Sequence, residues 1–314
     1  MNTSTQNMPR VLGIVGATAS AKTTLSLPLA QALNCEIVCM DSMQIYRRMD
    51  IGTAKPTADE RALIPHHMLD IVEPTEPFSV AQYVEQARAV ITDIVHRGRV
   101  PMLVGGTGLY LQGLTLPMDY GGLPSDPAIR RRLTEQAERE GVASMHACLA
   151  AVDPPAAARL HPNDQRRVIR ALEIYKLTGI PMSQHRTPTQ ADAPYDFSLY
   201  AVDWPRAKLH ARINQRVDQM LANGLMQEVQ ALLDSGVSED AQSMQGLGYK
   251  ELLPCLHGDI SLAQAAEAIK VGTRNYARRQ LIWFRRDTRI RWIPSTELSH
   301  AKERIIQDWE EHIR

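Results

Sequence analysis

Residues 16–23 read GATASAKT. This is the pattern of a phosphate-binding loop, G-x-x-x-x-G-K-[ST], with one change: Gly16, Lys22 and Thr23 are in place, and Ala21 stands where the second glycine belongs. Before the loop, residues 10–16 (RVLGIVG) form an apolar run with the length of a buried strand. After it, TTLSLPLAQAL reads as a helix. Between a strand and a helix, such a loop turns successive backbone N–H groups and a helix N-terminus toward anionic oxygens. Gly16, Ala17, Thr18, Ala19, Ser20, Ala21, Lys22 and Thr23 are therefore the candidate phosphate cradle. Lys22 supplies a point charge and Thr23 a hydroxyl for Mg2+. At position 21 an alanine costs about 1–2 kcal/mol where the backbone is left-handed and almost nothing where it is helical. The sequence leaves both open.

Working outward, CEIVCMDS (residues 35–42) is a second buried strand that ends at Asp41. Residues 79–97 begin with the capping residue Ser79 and place Val80, Tyr83, Val84, Ala87, Ile91, Ile94 and Val95 on one helical face. RVPMLVGGTG is another buried strand ending in glycines. Strand–helix–strand alternation with apolar strands predicts a parallel sheet covered by helices. Ligands of such sheets lie beyond the carboxyl ends of the strands, where the loop, Asp41 and Gly105-Gly106-Thr107 all fall. The turn-rich LPMDYGGLPSDP then breaks the pattern, and residues 125–180 read as charged helices. HRTPTQADAPYD is a polar linker, YDFSLYAVDW a strand returning to the sheet, and the remainder mostly helical. The expected fold is α/β: a P-loop NTPase-like parallel sheet over residues 1–120 and 196–314, with a mostly helical insertion at 121–195.

Lys+Arg and Asp+Glu both number 35, so any nucleic-acid surface must come from local clusters of basic residues. Four cysteines show no C-x-x-C spacing; Cys35 and Cys39 read as buried thiols of a reducing cytosol, without a zinc site. The polar start MNTSTQNMPR lacks a signal core, and no run has membrane-spanning length. A cytoplasmic protein is expected, with no membrane association and no obligate protein partner evident. The adjacent His66 and His67 lack ligand spacing and read as structural, and Trp292 and Trp309 as packing. ATP is the default ligand of a phosphate loop, but ATPases of this type hold Mg2+ with an Asp ending a second apolar strand. VPMLVGG ends in glycines, leaving Asp41 as the strand-end carboxylate: a metal ligand, a general base or a helix cap.

GATASAKT, DSMQIYRRMDIGTAKPT, PHHMLDI, LVGGTGLYLQGL, HPNDQRRVIRALEIY, GLGYKEL and TRNYARRQLIWFRR occur in this order. Together they resemble the tRNA dimethylallyltransferases, the tRNA isopentenyl-diphosphate transferase family, from about residue 11 to 293. The likeness is to the short bacterial form, without the C-terminal zinc finger of eukaryotic relatives. Two residues depart from the family pattern: Ala21, and Arg48 where the family often has glycine. The resemblance implies transfer of a dimethylallyl group from dimethylallyl diphosphate to N6 of the adenosine just 3′ of the tRNA anticodon. The loop then holds the diphosphate leaving group, with Mg2+. By the same resemblance Asp41 accepts the proton, Thr107 lies near the reacting centre and Arg216 near the diphosphate.

The tRNA anticodon stem-loop is the implied partner. The residues carried over for it are Asp41, Ser42, Met43, Gln44, Thr107 and Arg130, with Gln44 placed to read the purine edge. To these add Gln165, Arg166, Arg167, Val168, Ile169 and Arg170 in one segment, and Gln245, Gly246, Leu247, Gly248, Tyr249 and Lys250 in another. Thr273, Arg274, Arg278, Arg279 and Gln280 complete the set. Basic residues interleaved with Tyr276 and Trp283 favour unstacked RNA bases. The competing readings are an adenylate isopentenyltransferase using free AMP or ATP, a P-loop nucleotide kinase, and an RNA-binding module without chemistry.

Overall fold

Six strands form one sheet: β1 (Arg10–Val15), β2 (Cys35–Met40), β3 (His66–His67), β4 (Val100–Gly105), β5 (Asp196–Asp203) and β6 (Ile290–Pro294). Their spatial order is β3-β2-β4-β1-β5-β6, and every pairing is parallel. The structure is a computed structural model that describes residues 8–116, 125–185 and 193–311. Most of the turn-rich break and of the polar linker lies outside the described residues. The chain divides into two compact units, Met1–Thr115 with Ala193–Arg314, and Leu116–Asp192.

The register positions the site. Val15 and Met40 both pair with Gly105, and Val15 also pairs with Ala201. Three strands therefore end at one level, and the next residues (Gly16, Asp41 and Gly106) emerge side by side. Gly105 has to be glycine, because a Cβ there would overlap the Met40 carbonyl.

Helices α1 (Lys22–Ala32), α2 (Ala58–Leu63), α3 (Val80–His96) and α4 (Gly108–Thr115) follow the first strands. α3 opens with a capping box between Ser79 and Gln82, and buries Tyr83, Val84, Ala87, Ile91 and Ile94 as the apolar spacing predicts. Val80 and Val95 lie at the margin of that face. At the far end of the sheet from the loop, the buried Glu36 accepts from Arg97 and pairs with Arg99 at 3.4 Å and His67 at 2.7 Å. Hydrogen bonding to Arg97 is the main reason its carboxyl falls to about 2. His66 contacts the Ile64 carbonyl at 2.7 Å and also lines the cavity described below.

The second unit holds α5 (Pro127–Glu140), α6 (Val142–Val152), α7 (Pro154–Arg159) and α8 (Gln165–Thr178) around Leu133, Met145, Leu149, Val168, Ile169 and Leu172. Its buried carboxylate, Glu173, accepts from Asp126 N–H, Arg130 and Arg170, each at 2.9 Å.

The first unit resumes with β5, then α9 (Arg206–Ala222), α10 (Leu225–Asp234), α11 (Leu253–Leu256), α12 (Leu262–Phe284) and α13 (Ala301–Glu311). β6 interrupts a remainder that is otherwise mostly helical, as expected. Ile290 and Ile293 are buried, and the strand extends the sheet beside β5. Trp309 is buried under the Arg10 guanidinium, 3.7 Å from the ring centroid. All four cysteines are free, with Cys35 and Cys39 buried. Among the described residues no helix is long and apolar enough to cross a membrane.

Candidate active site at the sheet edge

The loop between β1 and α1 is held in an unusual backbone. Gly16 has φ 137°, Ala19 φ 60° and Ala21 φ 71° with ψ 28°. Ala21 is thus left-handed, which settles the alternative the sequence left open on the strained side. Arg48, the other departure, is also left-handed at φ 62°, which explains why glycine suits that position.

The strain is braced from outside. Trp204 Nε1 donates to the Ser20 carbonyl at 3.1 Å, and Arg212 Nε donates to the Ala19 carbonyl at 2.8 Å while lying over the Trp204 ring. Lys22 Nζ donates to the carbonyls of Ala17 at 2.7 Å and Gly16 at 3.2 Å. Carbonyls are thereby tied to the protein. No side chain caps α1, so its first-turn N–H groups stay open to an anion. The buried Ser20 hydroxyl has no partner either, and it lines the same cavity of about 610 Å³.

Around that cavity stand Asp41, Arg216 from α9, Thr23, and the segment from Gln245 to Gly248. Asp41 Oδ1 accepts from Met43 N–H at 2.9 Å, a local turn. No helix starts there, so the helix-cap reading falls. Thr107 fixes this turn: its Oγ1 accepts from Ser42 N–H at 3.1 Å, and its own N–H donates to the Met40 carbonyl at 3.1 Å. Burial, then the charge of Arg216, lowers the Lys22 ammonium to about 8, with Asp41 opposing. Burial also lowers Arg216, which Asp41 supports. Among the described residues Arg216 has no ion pair. Lys22 and Arg216 thus face one carboxylate in the same cavity, an arrangement that suits a polyanion.

The structure redistributes several residues that the resemblance assigned to RNA. Gln44 lines the cavity with both ends of its amide engaged: its Nε2 donates to the Thr53 and Ala54 carbonyls at 3.0 and 3.1 Å, and its Oε1 accepts from Cys39 Sγ. Tyr249 is buried and donates to Glu228 at 2.6 Å, so it is not a stacking surface. Val168 and Ile169 are core residues of the second unit. Arg130 and Arg170 are engaged with Glu173, Arg167 pairs with Asp164 at 3.2 Å, and Arg274 with Glu267 at 2.9 Å. By contrast Arg166, Arg278 and Arg279 are exposed and have no ion pair among the described residues. Gln245 and Lys250 are exposed, while Thr273 and Leu247 line the cavity. Gly246 leaves room for Met43, whose methyl group a Cβ would strike.

Three further supports hold the site. Glu228 accepts three successive N–H groups, Asp50, Ile51 and Gly52, at 2.7–3.0 Å, fixing the segment after Asp41. Lys55 is buried among the Tyr46 carbonyl, Asp50 and Asp70. Trp204 and Arg212 brace the loop as described. Glu228, Trp204 and Arg212 carry no local signal, because each acts on a segment far away in the chain, whereas Lys55 acts within its own stretch.

Among the described residues no group of three or more His, Cys, Asp or Glu could hold a metal by itself. Thr23 is exposed and lines the cavity, so its hydroxyl fits an ion held mainly by phosphate oxygens and water.

Fold and site define a P-loop group-transfer enzyme, in which a phosphate cradle faces a strand-end carboxylate. The IPP transferase model matches residues 44–287, and the isopentenyl transferase model residues 9–67. The chain belongs to the tRNA dimethylallyltransferase family. It is 49% identical over 293 residues to tRNA dimethylallyltransferase 1 of Trichlorobacter lovleyi, covering 93% of this chain and 95% of that protein. It is 47% identical over 299 residues to the tRNA dimethylallyltransferase of Bacillus subtilis, covering 94% and 95%. The crystal structure of the tRNA isopentenylpyrophosphate transferase of Bacillus halodurans is similar, with TM-score 0.71, 42% identity and coverage of 96% and 97%. A eukaryotic dimethylallyltransferase acting on tRNA matches with TM-score 0.85 at 31% identity, covering 97% of this chain and 79% of that one.

Proposed function

We propose that this protein transfers a dimethylallyl group from dimethylallyl diphosphate to N6 of the adenosine 3′-adjacent to the anticodon of tRNA, releasing diphosphate. The observation that carries the reading is the placement of Lys22 and Arg216 against Asp41 in one cavity, with the open start of α1 beside them.

The cradle binds the diphosphate end of the donor through loop N–H groups, Lys22 and Arg216. The N6 amine is a weak nucleophile, because its lone pair is shared with the purine ring. As N6 bonds to C1 of the dimethylallyl group, the C1–O bond breaks and its electron pair leaves with the diphosphate. Lys22, Arg216 and the loop dipoles stabilise that growing charge. The N6 proton passes to Asp41, whose second oxygen has no protein partner among the described residues. Thr107 keeps the Asp41 turn level with the loop. Mg2+, held by Thr23 and the phosphate oxygens, would add charge neutralisation to the leaving group.

On the RNA side, exposed Arg166, Arg278 and Arg279 have charge to give to phosphates. Labelled dimethylallyl diphosphate incubated with the protein and either tRNA or AMP tests the reading. Label is expected in tRNA at the adenosine beside the anticodon. Label in AMP alone would replace it with the adenylate reading, and label in neither would reject prenyl transfer.

A further inference from the structure

We infer that Gln280, which lies in the arginine-rich segment and was expected to touch RNA, is instead a positioning residue for the phosphate loop. The inference deepens the proposed function and rests on it for the identity of the donor. Gln280 projects from α12 and is 6% exposed. Its Oε1 accepts from the Thr18 N–H at 2.9 Å, and its Nε2 donates to the Gly106 carbonyl at 2.8 Å. Both ends of the amide are therefore spent inside the protein. One end holds the loop after β1 and the other the loop after β4.

The position of this bridge gives it a role beyond packing. β1 and β4 are neighbours, and their last residues are in register. Beyond that point backbone pairing stops, and the two loops have no ladder to hold them together. Gln280 spans that gap with one side chain. Thr107 follows Gly106 directly and holds the Asp41 turn through Ser42. The amide thus sets the distance between the donor's phosphate cradle and the turn that carries the proton acceptor. Gly106 is fitted to the bridge, since a Cβ there would collide with Gln280 Nε2. One turn earlier on α12, the half-buried Tyr276 faces both Thr107 and Gln280, so the same helix face meets both halves of the site. Group transfer depends on sub-ångström placement of the reacting atoms, and a misplacement of about 1 Å can cost roughly a hundredfold. A side chain that joins the two halves is where such placement is controlled.

Gln280→Met keeps the length of the side chain and removes both hydrogen-bonding ends. Gly106→Ala leaves Gln280 in place and displaces its Nε2 from the other side, so the contact can still be read if one variant fails to fold. Three quantities are measured on the full chain. They are binding of inorganic diphosphate and of dimethylallyl diphosphate without tRNA, binding of an anticodon stem-loop without donor, and single-turnover transfer at saturation. For a positioning residue, each variant weakens diphosphate binding about five- to twentyfold and slows single turnover about tenfold or more. Stem-loop affinity stays within about twofold. The double variant is no worse than the poorer single variant, because both break one contact.

Three results would overturn the inference. Stem-loop affinity could fall while diphosphate binding holds, making Gln280 an RNA contact. All three quantities could be unchanged. Or the two variants could be fully additive, placing their effects in different interactions. Inorganic diphosphate separates this from the larger reading: a wild-type protein that binds it normally and transfers no prenyl group counts against the proposed function alone.

Discussion

Ala21→Gly locates the strain of the phosphate loop. Residue 21 is left-handed immediately before α1. A left-handed alanine costs about 1–2 kcal/mol, and glycine is also the better residue at a helix N-cap. Glycine gives the unfolded chain extra freedom, which offsets about 0.4–1 kcal/mol of that gain. The net stabilisation is about 0.5–1 kcal/mol, which for a chain of this size raises Tm by about 1–3 °C.

The donor affinity is the more informative number. The left-handed geometry is enforced by the protein itself: Arg212 holds the Ala19 carbonyl, Trp204 the Ser20 carbonyl and Gln280 the Thr18 N–H. A loop braced in this way carries its strain in the free and the bound state alike, so the strain cancels from binding. The Kd for dimethylallyl diphosphate should therefore change by less than about threefold while Tm rises. Thermal denaturation and isothermal titration on the same preparations read both quantities. A tenfold tighter Kd, about 1.4 kcal/mol, with an unchanged Tm would refute the reasoning. It would mean that the loop takes on its strain only when the donor arrives.

Asp41→Asn keeps the Met43 turn but cannot accept a proton, so kcat should drop about 10²–10⁴-fold with tRNA affinity intact; loss of tRNA binding alongside turnover would make Asp41 a binding residue. Lys22 sits near 8 in the folded protein, lowered from 10.5 by burial, so folding stability should rise between pH 8 and 10.5 as its proton is shed. Diphosphate favours the charged form, so donor affinity should be full below pH 8 and weaken by up to about tenfold per unit above it, with proton uptake seen by titration in two buffers at pH 8.5; a flat profile would exclude Lys22 as the titrating cation. Arg166→Ala, Arg278→Ala and Arg279→Ala should each flatten the salt dependence of tRNA binding by up to about one unit of slope, whereas Arg130→Ala should chiefly destabilise its unit by leaving Glu173 with fewer partners. Equal salt slopes for all four variants would erase that distinction.

The loop, its strand and helix, and the alignment of Asp41 with Gly106 were legible because each follows from a short apolar run and its ending. Parallel strands that stop together put their next residues together, and that needs no knowledge of distant contacts. β6 was not legible, because IRWIP is five residues long and only two of them are buried, too few to show a period. The arginines show the limit most clearly. Spacing places Arg166, Arg167 and Arg170 on one helix, where Arg167 and Arg170 meet carboxylates three residues away and Arg166 meets none among the described residues. Arg130 is 43 residues from Glu173, and Gln280 is 262 residues from Thr18, so the partner that fixes each role lies beyond any local pattern. A charged or amide side chain is identical in sequence whether it is spent inside the protein or offered outside it. Its cost when buried without a partner is what separates the two cases. Gln44, Tyr249 and Gln280 are therefore spent on internal partners, whereas Arg166, Arg278 and Arg279 are exposed and have no ion pair among the described residues.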